Sequence, residues 1–188
     1  ERKVKKEYVA LVHGKIGVDR GEIAAAIGRV GSFGKFGVVA GGRESKTVFG
    51  VETRLKMYDE IFNKLTEREN KNRKRYLENH AREYTYVTLF PETGRTHQIR
   101  VHLKSIGHPL VSDVIYAPSK LLKFDLLWCK RLFLHAKSLE FTHPKTNKRI
   151  FFESSLPDDL TQALGQLTVD PSTSSSKTRL RSGQAIDK

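Results

Sequence analysis

Pro91-Glu92-Thr93-Gly94-Arg95-Thr96-His97-Gln98-Ile99-Arg100-Val101-His102-Leu103-Lys104 is the stretch on which the reading of this chain turns. Residues 84–90, just before it, alternate and are rich in β-branched and aromatic side chains, the pattern of a strand. Pro91 and Gly94 mark a turn. Thr96 stands where an N-cap would accept a backbone N–H. Ile99, Leu103 and Ile106 then recur at i, i+4 and i+7, one apolar helix face. Gly107 ahead of Pro109 ends the helix, with the glycine at C′.

The polar side of that helix carries Arg100 and Lys104, four residues apart. Arg100 falls in the first turn, where the macrodipole disfavours a cation by roughly a few tenths of a kcal/mol. Spacing leaves two readings. Arg95 and Arg100 flank a helix end built to hold an anion, whose free N–H groups already favour phosphate or carboxylate, or they belong to a solvated basic face.

Outward from this centre, residues 8–12 read as a central strand. Tyr8, Ala10 and Val12 share one face, and Val9 and Leu11 the other. Spacing allows Tyr8 to be a core tyrosine or a platform for a nucleobase. Residues 31–42 scatter five glycines among few other signals and read as a mobile surface loop, with a basic edge from Arg29, Lys35, Arg43 and Lys46. Residues 47–58 alternate as a strand. Residues 59–82 are charged, acidic early and basic late, which suits an exposed helix. That segment is either a solvated insertion or a basic arm gripping RNA through Arg73, Lys74 and Arg75. Residues 120–130 suit a short helix, 131–141 and 149–153 a hairpin, and 157–160 a helix start. From Gln166 the composition turns polar and Ser-rich, and disorder is expected over 166–188.

Composition narrows the partners. The 188 residues carry 34 Lys and Arg against 21 Asp and Glu, a net charge of +13. That balance calls for a polyanion, nucleic acid ahead of an anionic membrane surface. A single cysteine, Cys129, excludes an internal disulfide and suits a reducing compartment. No apolar run approaches a membrane span of about 18 residues. His97 and His102 are five apart and no His-Glu-x-x-His occurs, so no metal site is expected.

Three stretches together resemble one family. Residues 91–113, PETGRTHQIRVHLKSIGHPLVSD, are similar to the helix motif of the RluA-type pseudouridine synthases, which isomerise uridine to pseudouridine within RNA. Residues 5–14, KKEYVALVHG, resemble the family's tyrosine motif, and residues 132–136, LFLHA, its late strand motif, in the family's order. The likeness covers roughly residues 1–160 apart from the charged insertion at 59–82. It implies an α/β (α+β) fold with a mixed, largely antiparallel sheet flanked by helices. It also implies an RNA isomerase acting on rRNA or tRNA, without membrane or small-molecule cofactor, since the reaction involves no redox change. A cytoplasmic location follows, or an organellar one if a targeting segment lies upstream.

The resemblance also assigns roles. Arg100 would pair with and orient the catalytic aspartate, Tyr8 would stack on the uracil, and Leu134 would wall the pocket. Arg95 and Lys104 would contact phosphate. Apart from the resemblance, His97 near the helix start caps, packs or touches RNA, and Arg29 either contacts the RNA backbone or belongs to a solvated loop.

Ala26 stands where the family has proline before Ile-Gly-Arg, and Ser112 where it often has glycine. A larger departure is the aspartate itself. The family's Arg-Leu-Asp motif occurs nowhere here, and Asp19 sits in a turn-like Gly-Val-Asp-Arg-Gly context after Tyr8. The chain therefore reads as residues 1–165 of the later part of a catalytic domain, with 166–188 as tail. It opens at Glu1 without an initiator Met, and its sheet should be incomplete on the N-terminal side, with an edge or face uncovered. By itself it should be inactive. The rival reading is a non-catalytic RNA-binding protein on the same scaffold. A phosphoryl-handling enzyme would need a Gly-Lys-Ser/Thr loop, and none is present.

Overall fold

The computed structural model describes residues 4–31 and 34–171. Its first strand, β1 (Val4–His13), follows the alternation expected of it, and Val9 to His13 are all buried. It lies between β6 (Glu83–Pro91) and β7 (Leu134–Thr142), antiparallel to both. Outside β6 runs the long β5 (Lys46–Met57), and beyond that β2 (Arg20–Ala24). On the other side β8 (Arg149–Glu153) pairs with β7 as the expected hairpin and forms the sheet edge. Phe151 and Phe152 on that edge strand are exposed.

Period-two alternation puts different helices on the two faces of this sheet. Ala10 and Val12 pack with Phe49, Val87, Leu89 and with Ile99 and Leu103 of α3 (Gln98–Ser105). Leu11 points the other way, into a cluster with Tyr84, Phe133 and residues of four further helices. These are α1 (Asp59–Thr66), α2 (Lys71–His80), α4 (Ser119–Trp128) and α5 (Asp158–Leu164). Fold class is thus the expected one: a largely antiparallel sheet with helices on both faces.

Three expectations need correction. The segment 59–82 is not simply solvated. It forms α1 and α2, and each contributes a fully buried side chain, Phe62 and Leu77, to the core. Phe62 meets Phe124 at 5.7 Å between centroids, and the Arg82 guanidinium covers its ring at 4.5 Å. Ile61, Leu65 and Tyr76 pack partly buried against the same cluster, so a few apolar residues in a highly charged segment suffice to seat both helices. The chain also stays ordered past residue 165. Leu167–Val169 form β9, paired with the end of β5, and Leu167 and Asp170 are buried. The Ser-rich stretch 172–188 lies outside the described residues.

The glycine-rich region 31–42 is the third. It contains β4 (Phe36–Val38), which pairs with β3 (Ile27–Arg29) as a separate small sheet. Gly42 allows this hairpin to close. A Cβ there would fall 2.8 to 3.0 Å from the backbone C, O and N of Ile27, where Arg43 and Ile27 exchange two backbone hydrogen bonds. Neither neighbour is a flexible side chain that could move aside. Gly42→Ala is expected to cost about 1–3 kcal/mol through this overlap, read as a lower urea midpoint with an unchanged m-value.

Candidate active site

The β6–α3 turn is held in place by Gln98, a residue the sequence did not single out. Its buried amide oxygen accepts from Thr93 Oγ1 (2.5 Å) and from Arg95 N (3.0 Å). Its Nε2 donates to Lys46 O (2.9 Å) and Thr47 Oγ1 (3.0 Å) of β5. One side chain thereby fixes the turn to the sheet. Helix α3 does not use Thr96 as its N-cap. His97 takes that position with φ of 56°, in the left-handed region, and makes no side-chain cap bond. Such a conformation is uncommon for a non-glycine residue. At the other end Gly107, φ 87°, closes the helix as its spacing indicated.

His97 is half-buried at the helix start, against the rings of Phe36 and Tyr116. Its Nδ1 lies 2.8 Å from the Tyr116 hydroxyl, which also accepts from Phe36 N (3.1 Å) of β4. Burial, then the Arg100 charge, holds the His97 pKa below its ordinary value, so the imidazole is neutral near pH 7. His102 is fully buried and held by Thr47, Ser45 and the Ala25 carbonyl, and burial lowers its pKa too.

Arg100 is the most constrained cation of the helix. Its Nε donates to Asp113 Oδ2 (2.8 Å) and its Nη2 to Asp113 Oδ1 (2.6 Å), a two-pronged ion pair. Asp113 is fully buried, and its Oδ1 also accepts from Ile115 N (2.9 Å) and Tyr116 N (3.0 Å). The guanidinium carbon sits 4.9 Å from the centre of the Tyr116 ring. The carboxylate that meets Arg100 in this chain is therefore Asp113. Among the described residues Nη1 makes no hydrogen bond.

Beside this pair lies a cavity of about 320 Å³. Tyr8 enters it from β1, Leu134 from β7 and Leu132 from just before that strand, while Arg95, His97 and Arg100 enter from the turn and α3. Pairing explains why Tyr8 and Leu134 meet. Tyr8 is opposite Ala136 and Ala10 is opposite Leu134, so Tyr8 and Leu134 are diagonal neighbours on one face. The β1–β7 register shifts between Glu7 and Tyr8, a bulge of the kind that re-aims a side chain. The wall is mostly apolar with cations at one side, and no carboxylate lines it among the described residues.

Five of the residues singled out in the sequence thus share one cavity: Tyr8, Arg95, His97, Arg100 and Leu134. The others do not. Lys104 is exposed one turn on, its Nζ 5.6 Å from the Tyr116 ring centre. Arg29 lines a neighbouring cleft that shares Arg95 and Gly94 with the cavity. Arg73, Lys74 and Arg75 are on α2, across the sheet from α3, and Arg73 is tied to Glu69 (2.8 Å) and the Lys120 carbonyl (3.3 Å). Asp113, Tyr116 and Gln98 were missed as site residues. The one available signal was an aspartate inside an apolar run, Leu110-Val111-Ser112-Asp113, which must find a partner when buried.

Comparisons with known proteins point to one family. A family model described as RNA pseudouridylate synthase matches residues 1–105. Ribosomal large subunit pseudouridine synthase D of Nitrosomonas europaea is 35% identical over 184 residues, 94% of this chain and 45% of that protein. An uncharacterised RNA pseudouridine synthase of Bacillus subtilis is 34% identical over 165 residues, 87% of this chain and 44% of that protein. Among solved structures, human RNA pseudouridylate synthase domain containing 1 superposes with a TM-score of 0.61 at 27% identity, covering 83% of this chain and 56% of that one. The chain spans about half the length of these relatives.

Proposed function

The chain belongs to the RNA pseudouridylate synthase family, and from that membership we propose that it forms the base-holding part of an enzyme that isomerises uridine to pseudouridine in structured RNA, rRNA or tRNA. The observation that carries this reading is the convergence of Tyr8, Leu134 and Arg100, from three separate elements, on one cavity of base-binding size.

The reaction breaks the bond from ribose C1′ to uracil N1, turns the uracil, and joins C1′ to C5, whose hydrogen leaves as a proton while N1 takes a proton up. No electron is gained or lost. The target base must first leave its stack, at a cost of a few kcal/mol. Tyr8 offsets part of that by stacking on the extruded ring, while Leu132 and Leu134 exclude water from its far side. Arg100, fixed by Asp113, presents its remaining N–H groups to a carboxylate acting on the ribose and keeps that carboxylate ionised. The cavity's lack of a carboxylate among its described lining residues, and the absence of Arg-Leu-Asp, support supply of that group by a segment outside this sequence. Basic residues around the rim, Arg95 and Arg29 among them, take the RNA backbone. The free, buried Cys129 supports a reducing compartment such as the cytoplasm.

The test is tritium release from RNA labelled at uracil C5. The full-length gene product is expected to release the label, and residues 1–188 alone are expected to bind RNA and release none. Tyr8→Ala in the full-length protein should lower kcat/KM by roughly 5- to 150-fold, the equivalent of about 1–3 kcal/mol of base stacking, and Tyr8→Phe should retain most of it. Salt-sensitive RNA binding without release, across total cellular RNA, would favour the scaffold that only holds RNA.

A further inference from the structure

A second cleft of about 460 Å³, lined from the β3–β4 hairpin and the β6–α3 turn, shares Gly94 and Arg95 with the cavity that holds Tyr8. Three arginines line this cleft, each from a different segment: Arg29 at the end of β3, Arg43 just after the hairpin, and Arg95 in the turn. No acidic side chain lines it among the described residues, and none of the three forms an ion pair there. Glu44, the nearest acid in sequence, offers Arg95 Nε only its backbone carbonyl, at 3.3 Å.

The lining of this recess thus carries an excess of positive charge among the described residues. Arg29 and Arg43 are exposed, so their placement is not required by packing. Gly28, Gly41, Gly42 and Gly94 also line the cleft, and beside Gly41 a Cβ would meet nothing within 4 Å. Phe36 forms one apolar wall. By contrast, the larger recess of about 670 Å³ near His13 and His108 mixes Lys56 and Arg82 with Glu78 and Glu83. It offers no comparable excess of one charge.

We propose that the Arg29–Arg43–Arg95 cleft is a phosphodiester subsite, which holds the RNA backbone beside the nucleotide whose base occupies the Tyr8 cavity. The inference rests on the reading of that cavity as a base site. Guanidinium forks match phosphate oxygens two at a time, which suits a backbone that must be held at fixed distance from an extruded base. Arg95 belongs to both spaces, so it sits where the target nucleotide's own phosphate would pass from one to the other. The hairpin carrying Arg29 is tied to the helix end through Phe36 N and His97 Nδ1, both on the Tyr116 hydroxyl. The phosphate-holding arm and the Arg100 helix are thus held by one hydroxyl.

The test is the salt dependence of binding, which does not require isomerase activity. Residues 1–188 are titrated against a fluorescein-labelled single-stranded oligouridylate of about ten nucleotides, over a range of salt concentrations. Each phosphate neutralised contributes about 0.7 to the slope of log K against log salt for single strands, so Arg29→Gln/Arg43→Gln should lower the slope by about 1.4 and weaken binding roughly 25-fold at 0.1 M salt. Arg29→Lys/Arg43→Lys should keep the slope, since charge and not shape sets counterion release. Lys145→Gln/Lys148→Gln, equal in charge loss and located in the exposed β7–β8 turn, should leave the slope close to wild type. The proposal is overturned if the Gln pair at 29 and 43 leaves slope and affinity unchanged, or if the pair at 145 and 148 lowers them equally. Failure of the isomerase reading would show itself separately, as absent tritium release with the slope change intact.

Discussion

Asp113→Ala is expected to destabilise the chain by about 3–5 kcal/mol, the cost of removing one partner of a buried ion pair. The reason lies in what remains. Arg100 is only 13% exposed at its side chain and gives two donors to Asp113. Truncation leaves a desolvated guanidinium without its counter-charge, and the amides of Ile115 and Tyr116 lose their acceptor as well. Asp113→Asn separates the two contributions. It keeps an oxygen for the amides and removes only the charge, so it should fall between wild type and Asp113→Ala in urea unfolding.

The same carboxylate gives a pH signature. Burial pushes the Asp113 pKa upward, but the Arg100 hydrogen bonds, the two amides and the Arg100 charge together outweigh it, and the folded value lies below the ordinary 3.8. The unfolded chain therefore binds the proton more readily than the folded one. Stability from this group is complete above about pH 4 and is lost as pH falls through the folded value. Wild type should lose stability steeply in that acid range, and Asp113→Asn should lose less. Equal acid sensitivity in the two proteins would mean that Asp113 is not the group responsible.

Much of this architecture could be read from local pattern. Alternation in residues 8–12 gave the two faces of β1 correctly, because a strand flanked on both sides has no freedom to choose which residues point where. Gly107 was legible as a helix stop because a positive φ favours glycine. What could not be read was set by distant partners. Thr96 looked like a cap, yet the turn is anchored by Gln98 to β5, some fifty residues earlier, and that contact moves the helix start onto His97. The β3–β4 hairpin looked like a loop because glycines supply no pattern, and the closeness of Gly42 to Ile27 is visible only in three dimensions. Similarly, the resemblance identified Arg100 but not Asp113, because nothing in local sequence says which carboxylate a turn will carry beneath a helix.

These lines meet in the second large effect, expected for Arg100→Lys in the full-length protein. Lysine keeps the positive charge, so a site that needed only a cation would tolerate it. The geometry asks for more. Arg100 uses Nε and Nη2 on Asp113 and holds its guanidinium carbon 4.9 Å from the Tyr116 ring centre, which fixes the orientation of the group at the cavity it lines. An ammonium group has no plane to orient. It can satisfy Asp113 or reach toward an incoming carboxylate, but it cannot do both from one rigid frame. Activity by tritium release should fall roughly 10²- to 10³-fold, the scale seen when one preorganised donor is lost, with the change in kcat. RNA affinity should stay within about threefold, because one unit of positive charge is conserved and phosphate contact depends on charge. Arg100→Ala should lose comparable activity and destabilise the fold as well, since Asp113 is then left buried and unpaired. A lysine variant with near wild-type kcat would show that Arg100 acts through charge alone, and the two-pronged pair with Asp113 would then be a structural contact rather than the frame that orients the reacting carboxylate.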